Sequence, residues 1–303
     1  MMNNLPCVRG TYKFAYNLAH LTWFKVGGNA DVFFKPTDSQ DLAFFLEQNQ
    51  GTRPVNVIGA GSNLIIRDGG IDGVVVKLGQ TFTQIAFLAD DIIVVGSACL
   101  NNNLAHFCKE NGLAGLEFLV GIPGTIGGGV AMNAGAYGRE FKDIVVCIEA
   151  LNFRGELQNI KPDEIKFKYR GNDLPKDLII TKVAIKVNFA DVTSIAAKMQ
   201  EINEKRAYSQ PIKLATGGST FANPISGSVS GPSLKAWQLI DQAGMRGKQV
   251  GGAQISELHC NFMINLGSAS AKDLETLGDL AQKKVFEYSG YRLEWEIKRI
   301  GHS

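Results

Sequence analysis

Two glycine-rich loops and three isolated polar residues carry the chemistry that can be argued from this sequence. The first loop lies in Val55-Asn-Val-Ile-Gly-Ala-Gly-Ser-Asn-Leu-Ile-Ile66, where one apolar run leads into another. Gly59, Ala60, Gly61, Ser62 and Asn63 offer it backbone N–H groups and two short polar side chains. The second is Gly121-Ile-Pro-Gly-Thr-Ile-Gly-Gly-Gly-Val-Ala-Met-Asn-Ala-Gly-Ala-Tyr-Gly138. It is apolar enough to be buried, yet Pro123 and its glycines exclude a long regular helix. Pro123-Gly124 sets a turn, and Gly127-Gly128-Gly129 leaves backbone bare where side chains would block approach. Buried N–H groups must find partners, and successive bare amides form a positive concavity. An anion of the phosphate type is therefore the expected ligand, although a glycine-rich core crossing without a ligand also fits the second loop. Neither common nucleotide loop is present: no G-x-x-x-x-G-K-[ST] occurs, and Leu64 stands where a G-x-G-x-x-G pattern needs its last glycine.

Arg170 follows Tyr169 and precedes a glycine, so it can project from a strand end. Ser219 sits between Gly218 and Thr220. Glu296 alternates with Leu293, Trp295 and Ile297, which places it on the face opposite those apolar residues if the segment is a strand. Taken alone, a surface arginine, a turn serine and a solvated strand face are the commoner uses of these types. No histidine accompanies Ser219 in a G-x-S-x-G context, so no triad is indicated.

The chain has 303 residues, 45% of them hydrophobic and 20% charged, with a net charge of +2. This balance gives no reason to expect nucleic acid or an anionic membrane as partner. No secretory signal is visible at the N-terminus. The most apolar window is too short and too broken by glycine for a membrane span. Five cysteines and four histidines are scattered without ligand spacing, which fits a reducing compartment and no metal.

The elements that must position these residues follow from periodicity. Strands are expected at 30–35, 55–58, 73–78, 91–95 and 178–187, with a hairpin of 147–153 and 156–160 around Arg154-Gly155. Helices are expected at 38–49, 100–111, 192–208, 233–243 and 270–287, the last opened by a Ser270/Asp273 capping box. A short strand at 261–265 and an alternating tail at 291–300 complete an α+β pattern. A domain boundary is placed near residue 190, where the composition turns helical and charged.

Taken together the motifs become specific. Thr22-x-x-x-x-Gly27-Gly28-x-Ala30, Gly59-Ala-Gly-Ser-Asn-Leu64, Gly121-Ile-Pro-Gly-Thr-Ile-Gly-Gly128, Asn133-Ala-Gly-Ala-Tyr-Gly138, Tyr169-Arg170, Gly218-Ser-x-Phe-x-Asn-Pro224 and Leu293-Glu-x-Glu-Ile297 occur in this order. In this the chain resembles the UDP-N-acetylenolpyruvoylglucosamine reductase family over nearly its whole length, in the form without an extra substrate-capping loop.

The resemblance implies a two-subdomain FAD-binding region of the PCMH/vanillyl-alcohol-oxidase type and a smaller α+β substrate domain. The expected division is 1–20 as a leader, 21–80 and 81–190 as FAD subdomains, 191–290 as the substrate domain, and 291–303 as a strand returning to the FAD region. Non-covalent FAD would be held by Gly59, Ala60, Gly61, Ser62, Asn63, Gly121, Pro123, Gly124, Thr125, Gly127, Gly128, Asn133, Gly135 and Ala136. NADPH would reduce the flavin, and the enolpyruvyl sugar would then accept hydride. Arg170 and Glu296 would stabilise the enolate and Ser219 would protonate it, while Tyr169, Asn223, Gln254 and His259 would contact the UDP-sugar. A cytoplasmic monomer of peptidoglycan precursor synthesis is expected. Ala222 departs from the basic residue frequent in that motif, and Gly171-Asn172 from the serine-containing sequence frequent after Tyr-Arg. A non-covalent FAD oxidase of the same fold and a non-enzymatic cofactor-binding regulator are the alternatives.

Overall fold

The computed structural model describes residues 5–224 and 235–303, which gather into two compact units. The first comprises residues 5–15, Asp31–Ala60 and Gly73–Lys205. One of its sheets has the order Thr11–Asn17, Asn29–Lys35, Ile71–Val76, Val55–Val57, the last two strands parallel. Helix α1 (Ser39–Asn49) lays Leu42, Phe45 and Leu46 on Val32, Phe34, Val74 and Val76 of that sheet. Its start is set by Asp38, whose carboxylate accepts the Asp41 amide at 2.9 Å.

The second sheet is antiparallel throughout, in the order Leu157–Ile160, Val145–Asn152, Leu178–Lys186, Ile92–Gly96, Ile85–Ala89. Its core joins Ile148, Val183, Ile185 and Val95 to Leu104 and Cys108 of α2 (Asn101–Glu110) and to Ile126 and Val130 of α3 (Ile126–Ala131). Ile195, Met199 and Ile202 of α4 (Val192–Ser209) join the same core. With that packing, residues up to Lys205 cluster with the first unit. The supposed leader also supplies the edge strand Thr11–Asn17.

The second unit comprises Tyr16–Ala30, Gly61–Asp72 and Arg206–Ser303, so the expected subdomain 21–80 is divided between the two. Gln249–Val250, Ala253–Ile255 and Met263–Asn265 form an antiparallel sheet. Helices α5 (Ala236–Gln242) and α6 (Ala271–Ser289) cover it with Leu239, Ile240, Leu274, Leu277, Ala281 and Val285. The helix expected from residue 233 begins outside the described residues. The capping box forms as anticipated: Ser270 Oγ accepts the Asp273 amide at 3.0 Å and Asp273 accepts the Ser270 amide at 3.0 Å.

The tail is a strand only at Lys298–Ile300, parallel to Leu64–Ile66. Leu293 and Ile297 are buried as the alternation requires, but residues 294–297 bond to the segment around Thr220 instead of extending the strand. Trp295 crosses α6 at Gly278, where any Cβ would collide with the indole ring. Its Nε1–H donates to Gln282 Oε1 at 3.2 Å, and Gln282 Nε2 donates to Leu293 O at 2.6 Å. The glycine inside this helix is the condition for placing the tail.

Asp68 ties the loop after Leu64–Ile66 to α6, its two carboxylate oxygens accepting the amides of Ala271 at 2.8 Å and Lys272 at 3.0 Å. These are the otherwise unpaired N–H groups of a first helical turn. Asp68→Ala is expected to lower stability by about 1–2 kcal/mol, read as a lower urea midpoint at unchanged slope; an unchanged midpoint would show that Ser270 suffices as the cap.

Candidate functional site

In the first unit Gly59 of the first glycine loop meets Thr125 of the second. A Cβ on Gly59 would lie 2.7 Å from Thr125 Oγ1, so only a bare α-carbon fits there. Thr125 is the N-cap of α3 and accepts the Gly128 amide at 3.3 Å. The Gly59, Ala60 and Gly61 amides donate to no group among the described residues, although Gly61 is buried and the other two half-buried. Lys77 Nζ donates to the Gly59 carbonyl. Ser97 adds a buried hydroxyl with no hydrogen-bond partner among the described residues. A cradle shaped by missing side chains and lined with unused donors fits the diphosphate of FAD.

The amides of the second loop are differently employed. Those of Ile126 and Gly127 donate to Cys99 O at 2.9 Å and Ser97 O at 2.8 Å, and that of Gly129 to Thr125 O at 2.8 Å. Its glycines are needed for close packing: Gly121 meets the Tyr137 ring, Gly127 meets Ser97 and Gly129 meets the Phe141 ring. Pro123 enters the turn, and Gly124 O receives the Asn101 amide at 3.0 Å. The amides of 127–129 are thus satisfied from within the chain, whereas those of Gly124 and Thr125, like those of the first loop, have no acceptor among the described residues.

Asn133, fully buried, has both side-chain ends occupied. Nδ2 donates to Glu140 Oε2 at 3.0 Å and Lys168 O at 2.9 Å, and Oδ1 accepts the Lys142 amide at 3.0 Å. Gly135 and Ala136 pair with Arg139–Glu140. Arg170 Nη2 donates to Gly135 O at 3.0 Å, and its guanidinium lies 4.6 Å over the half-exposed Tyr169 ring. The ring and the carbonyl orient the guanidinium. Arg170 holds φ at 59°, a conformation uncommon for a side-chain-bearing residue.

In the second unit Ser219 and Glu296 lie on two segments joined through Thr220. The Thr220 amide donates to Asn261 O at 2.7 Å, while Thr220 O accepts the Glu296 amide at 2.9 Å. Asn261 holds Phe221 from both sides, Oδ1 accepting the Phe221 amide at 2.9 Å and Nδ2 donating to Phe221 O at 2.8 Å. Asn63 Nδ2 donates to Glu296 O at 3.1 Å, fixing the backbone of Glu296 against residue 63. Ser62 is half-buried beside it in sequence. Ser219 and Glu296 are half-buried, so both side chains retain access to solvent or substrate.

The four expected substrate contacts have work within the fold. Asn223 Oδ1 accepts the Ala236 amide at 3.0 Å, and Gln254 Nε2 donates to Gly247 O at 3.3 Å. Burial holds the His259 imidazole below its usual pKa, and Nδ1 accepts the Asn261 amide at 3.3 Å, so the neutral ring carries its proton on Nε2. Ser256 Oγ accepts the Leu258 and His259 amides, which makes it a turn residue. Sequence reasoning passed over Lys77, Ser97 and Asn261. Lys77 closes a valine run and reads as the polar end of a strand, and Asn261 reads as a strand start.

Residues 30–161 match the model of an FAD binding domain, and residues 210–300 match that of the UDP-N-acetylenolpyruvoylglucosamine reductase C-terminal domain. The UDP-N-acetylenolpyruvoylglucosamine reductase of Rickettsia canadensis is 62% identical over 99% of this chain and 99% of its own. That of Rickettsia rickettsii (strain Sheila Smith) is 63% identical over 98% of each. The crystal structure of the corresponding reductase from Thermus caldophilus superposes with a TM-score of 0.81 at 32% identity, covering 96% of this chain and 98% of that one. Similarity of this extent, at both ends of the chain and in its three-dimensional course, means that the chain belongs to the UDP-N-acetylenolpyruvoylglucosamine reductase family.

Proposed function

We propose that the chain uses NADPH and FAD to reduce the enolpyruvyl ether of its UDP-sugar substrate to the lactyl ether, giving UDP-N-acetylmuramate for peptidoglycan synthesis in the cytoplasm. Bound FAD, once reduced by NADPH, supplies the hydride. The remaining tasks fall to side chains of this protein. A hydride added at the CH₂ terminus leaves negative charge on the carbon bearing the carboxylate, and that charge must be stabilised and then protonated. Arg170 offers a fixed cation to the carboxylate, since Gly135 O and the Tyr169 ring already set its orientation. Glu296 is assigned to the same carboxylate. Ser219 Oγ–H gives its proton to the adjacent carbon. A hydroxyl is a weak acid in water, but an enolate is a strong base and exclusion of water strengthens the transfer.

The observation that carries this assignment is the shared hold on Thr220. Its amide and carbonyl fix the segments bearing Ser219 and Glu296 against each other, so an acid and a second polar group are presented from one rigid backbone. Gly218, at φ 81°, gives the turn into Ser219 a conformation that a larger residue would resist.

The whole cycle can be read in one anaerobic cuvette. NADPH is expected to bleach the flavin spectrum and the enolpyruvyl sugar to restore it; bleaching without restoration would discard the substrate. For Ser219→Ala the bleaching step is expected to keep its rate while restoration by the sugar slows by about 10²–10⁴. Near-normal turnover of that variant would remove Ser219 as the proton donor.

A further inference from the structure

Lys77 follows the strand Ile71–Val76 in the first unit, and its amide continues the pairing by donating to Phe34 O at 2.9 Å. The side chain turns to the first glycine loop, where its ammonium donates to the Gly59 carbonyl. In a trans peptide the C=O and the following N–H point in opposite directions. A lysine that fixes Gly59 O on one side therefore directs the Ala60 N–H to the other. That N–H and those of Gly59 and Gly61 donate to nothing among the described residues. Thr125 Oγ1 lies against the Gly59 α-carbon, so the peptide is held from two directions.

The charge on Lys77 needs explaining as much as its position. The residue is half-buried, and the charged group acting on its ammonium is another lysine, Lys35, with no carboxylate paired to it among the described residues. Burial and Lys35 both push its pKa down. An ammonium withdrawn from water with only a neutral carbonyl as partner is unfavourable, and an anion is the partner that would relieve it. FAD carries such an anion in the diphosphate between its two halves, the part of the molecule that bare amides would also receive.

We propose that Lys77 serves the FAD site twice, by orienting the Gly59–Ala60 peptide toward the diphosphate and by supplying the positive charge opposite it. This rests on the reading of the chain as an FAD protein. The lysine positions and neutralises; it takes no part in hydride or proton transfer.

The test is the dissociation constant of FAD, measured from the rise in flavin fluorescence as purified holoprotein is diluted. Lys77→Gln keeps a donor for Gly59 O and removes the charge, whereas Lys77→Arg keeps the charge. The expected result is dissociation about ten- to hundredfold weaker in K77Q, the loss of one charge-assisted contact, with K77R restored to within about threefold of the parent. Wild-type affinity in K77Q would overturn the proposal, and so would a K77R variant as weak as K77Q, which would leave Lys77 with loop shape alone. A parent protein that binds no flavin would overturn the FAD reading on which the proposal stands.

Discussion

Thr220 donates through its N–H to Asn261 O and accepts through its C=O from the amides of both Glu296 and Ile297. Three segments far apart in sequence are thereby fixed by the peptide groups of one buried residue. The arrangement substitutes for a sheet: Ser219 bridges to Phe262 on one side and Phe221 to Trp295 on the other, yet each is an isolated contact rather than part of a ladder. An extended ladder would set every side chain by strict alternation. Here the pairing is local and irregular, so Asn261 must close the remaining bonds of Phe221 with its own amide. What positions Ser219 and Glu296 is thus the satisfaction of buried backbone, secured from outside by Trp295 on α6 and by Asn63 on Glu296 O.

The two glycine loops show that like sequences can be glycine-rich for different reasons. At residues 59–61 the missing side chains coincide with unused amides and a neighbouring cation. At residues 126–129 the amides are taken up by Thr125, Ser97 and Cys99, and glycines of that loop let Tyr137, Ser97 and Phe141 approach the backbone. Glycine content alone does not say where each N–H goes; the hydrogen bonds of the folded chain do.

Much of the scaffold was legible because it depends on periodicity. Leu42, Phe45 and Leu46 mark α1, Ser270 and Asp273 mark the start of α6, and the hairpin around Gly155 follows its turn chemistry. The α+β class and the order of elements follow from such signals. The tail is the instructive exception: Leu293, Trp295 and Ile297 alternate as a strand does and two of them are fully buried, but most of the segment bonds to the Thr220 region instead. Alternation reports which side faces the core and is silent about which backbone accepts the bonds. The charged composition of α4 is silent in the same way about Ile195, Met199 and Ile202 on its inner face, which join the core of the second sheet. Motif matching named Asn133 and Asn223 without revealing that their side chains are turned to the chain itself.

The departure at Asn172 acquires a physical meaning in the folded chain. Its Nδ2 donates to Val130 O at 2.9 Å and to Ala131 O at 3.3 Å at the end of α3, where Val130 O also accepts the Asn133 amide at 3.0 Å. Asn133 Nδ2 reaches Lys168 O, and Arg170 Nη2 reaches Gly135 O. Three side-chain contacts therefore stitch residues 130–135 to residues 168–172. Within this patch Asn133 and Arg170 both adopt positive φ, at 41° and 59°. Such conformations persist only where surrounding contacts over-determine them, and the stitching supplies those contacts. The strain at Arg170 and the amide of Asn172 then belong to one device: the asparagine anchors the loop to α3, and the loop so anchored holds a guanidinium in a direction that an unconstrained arginine would leave within nanoseconds.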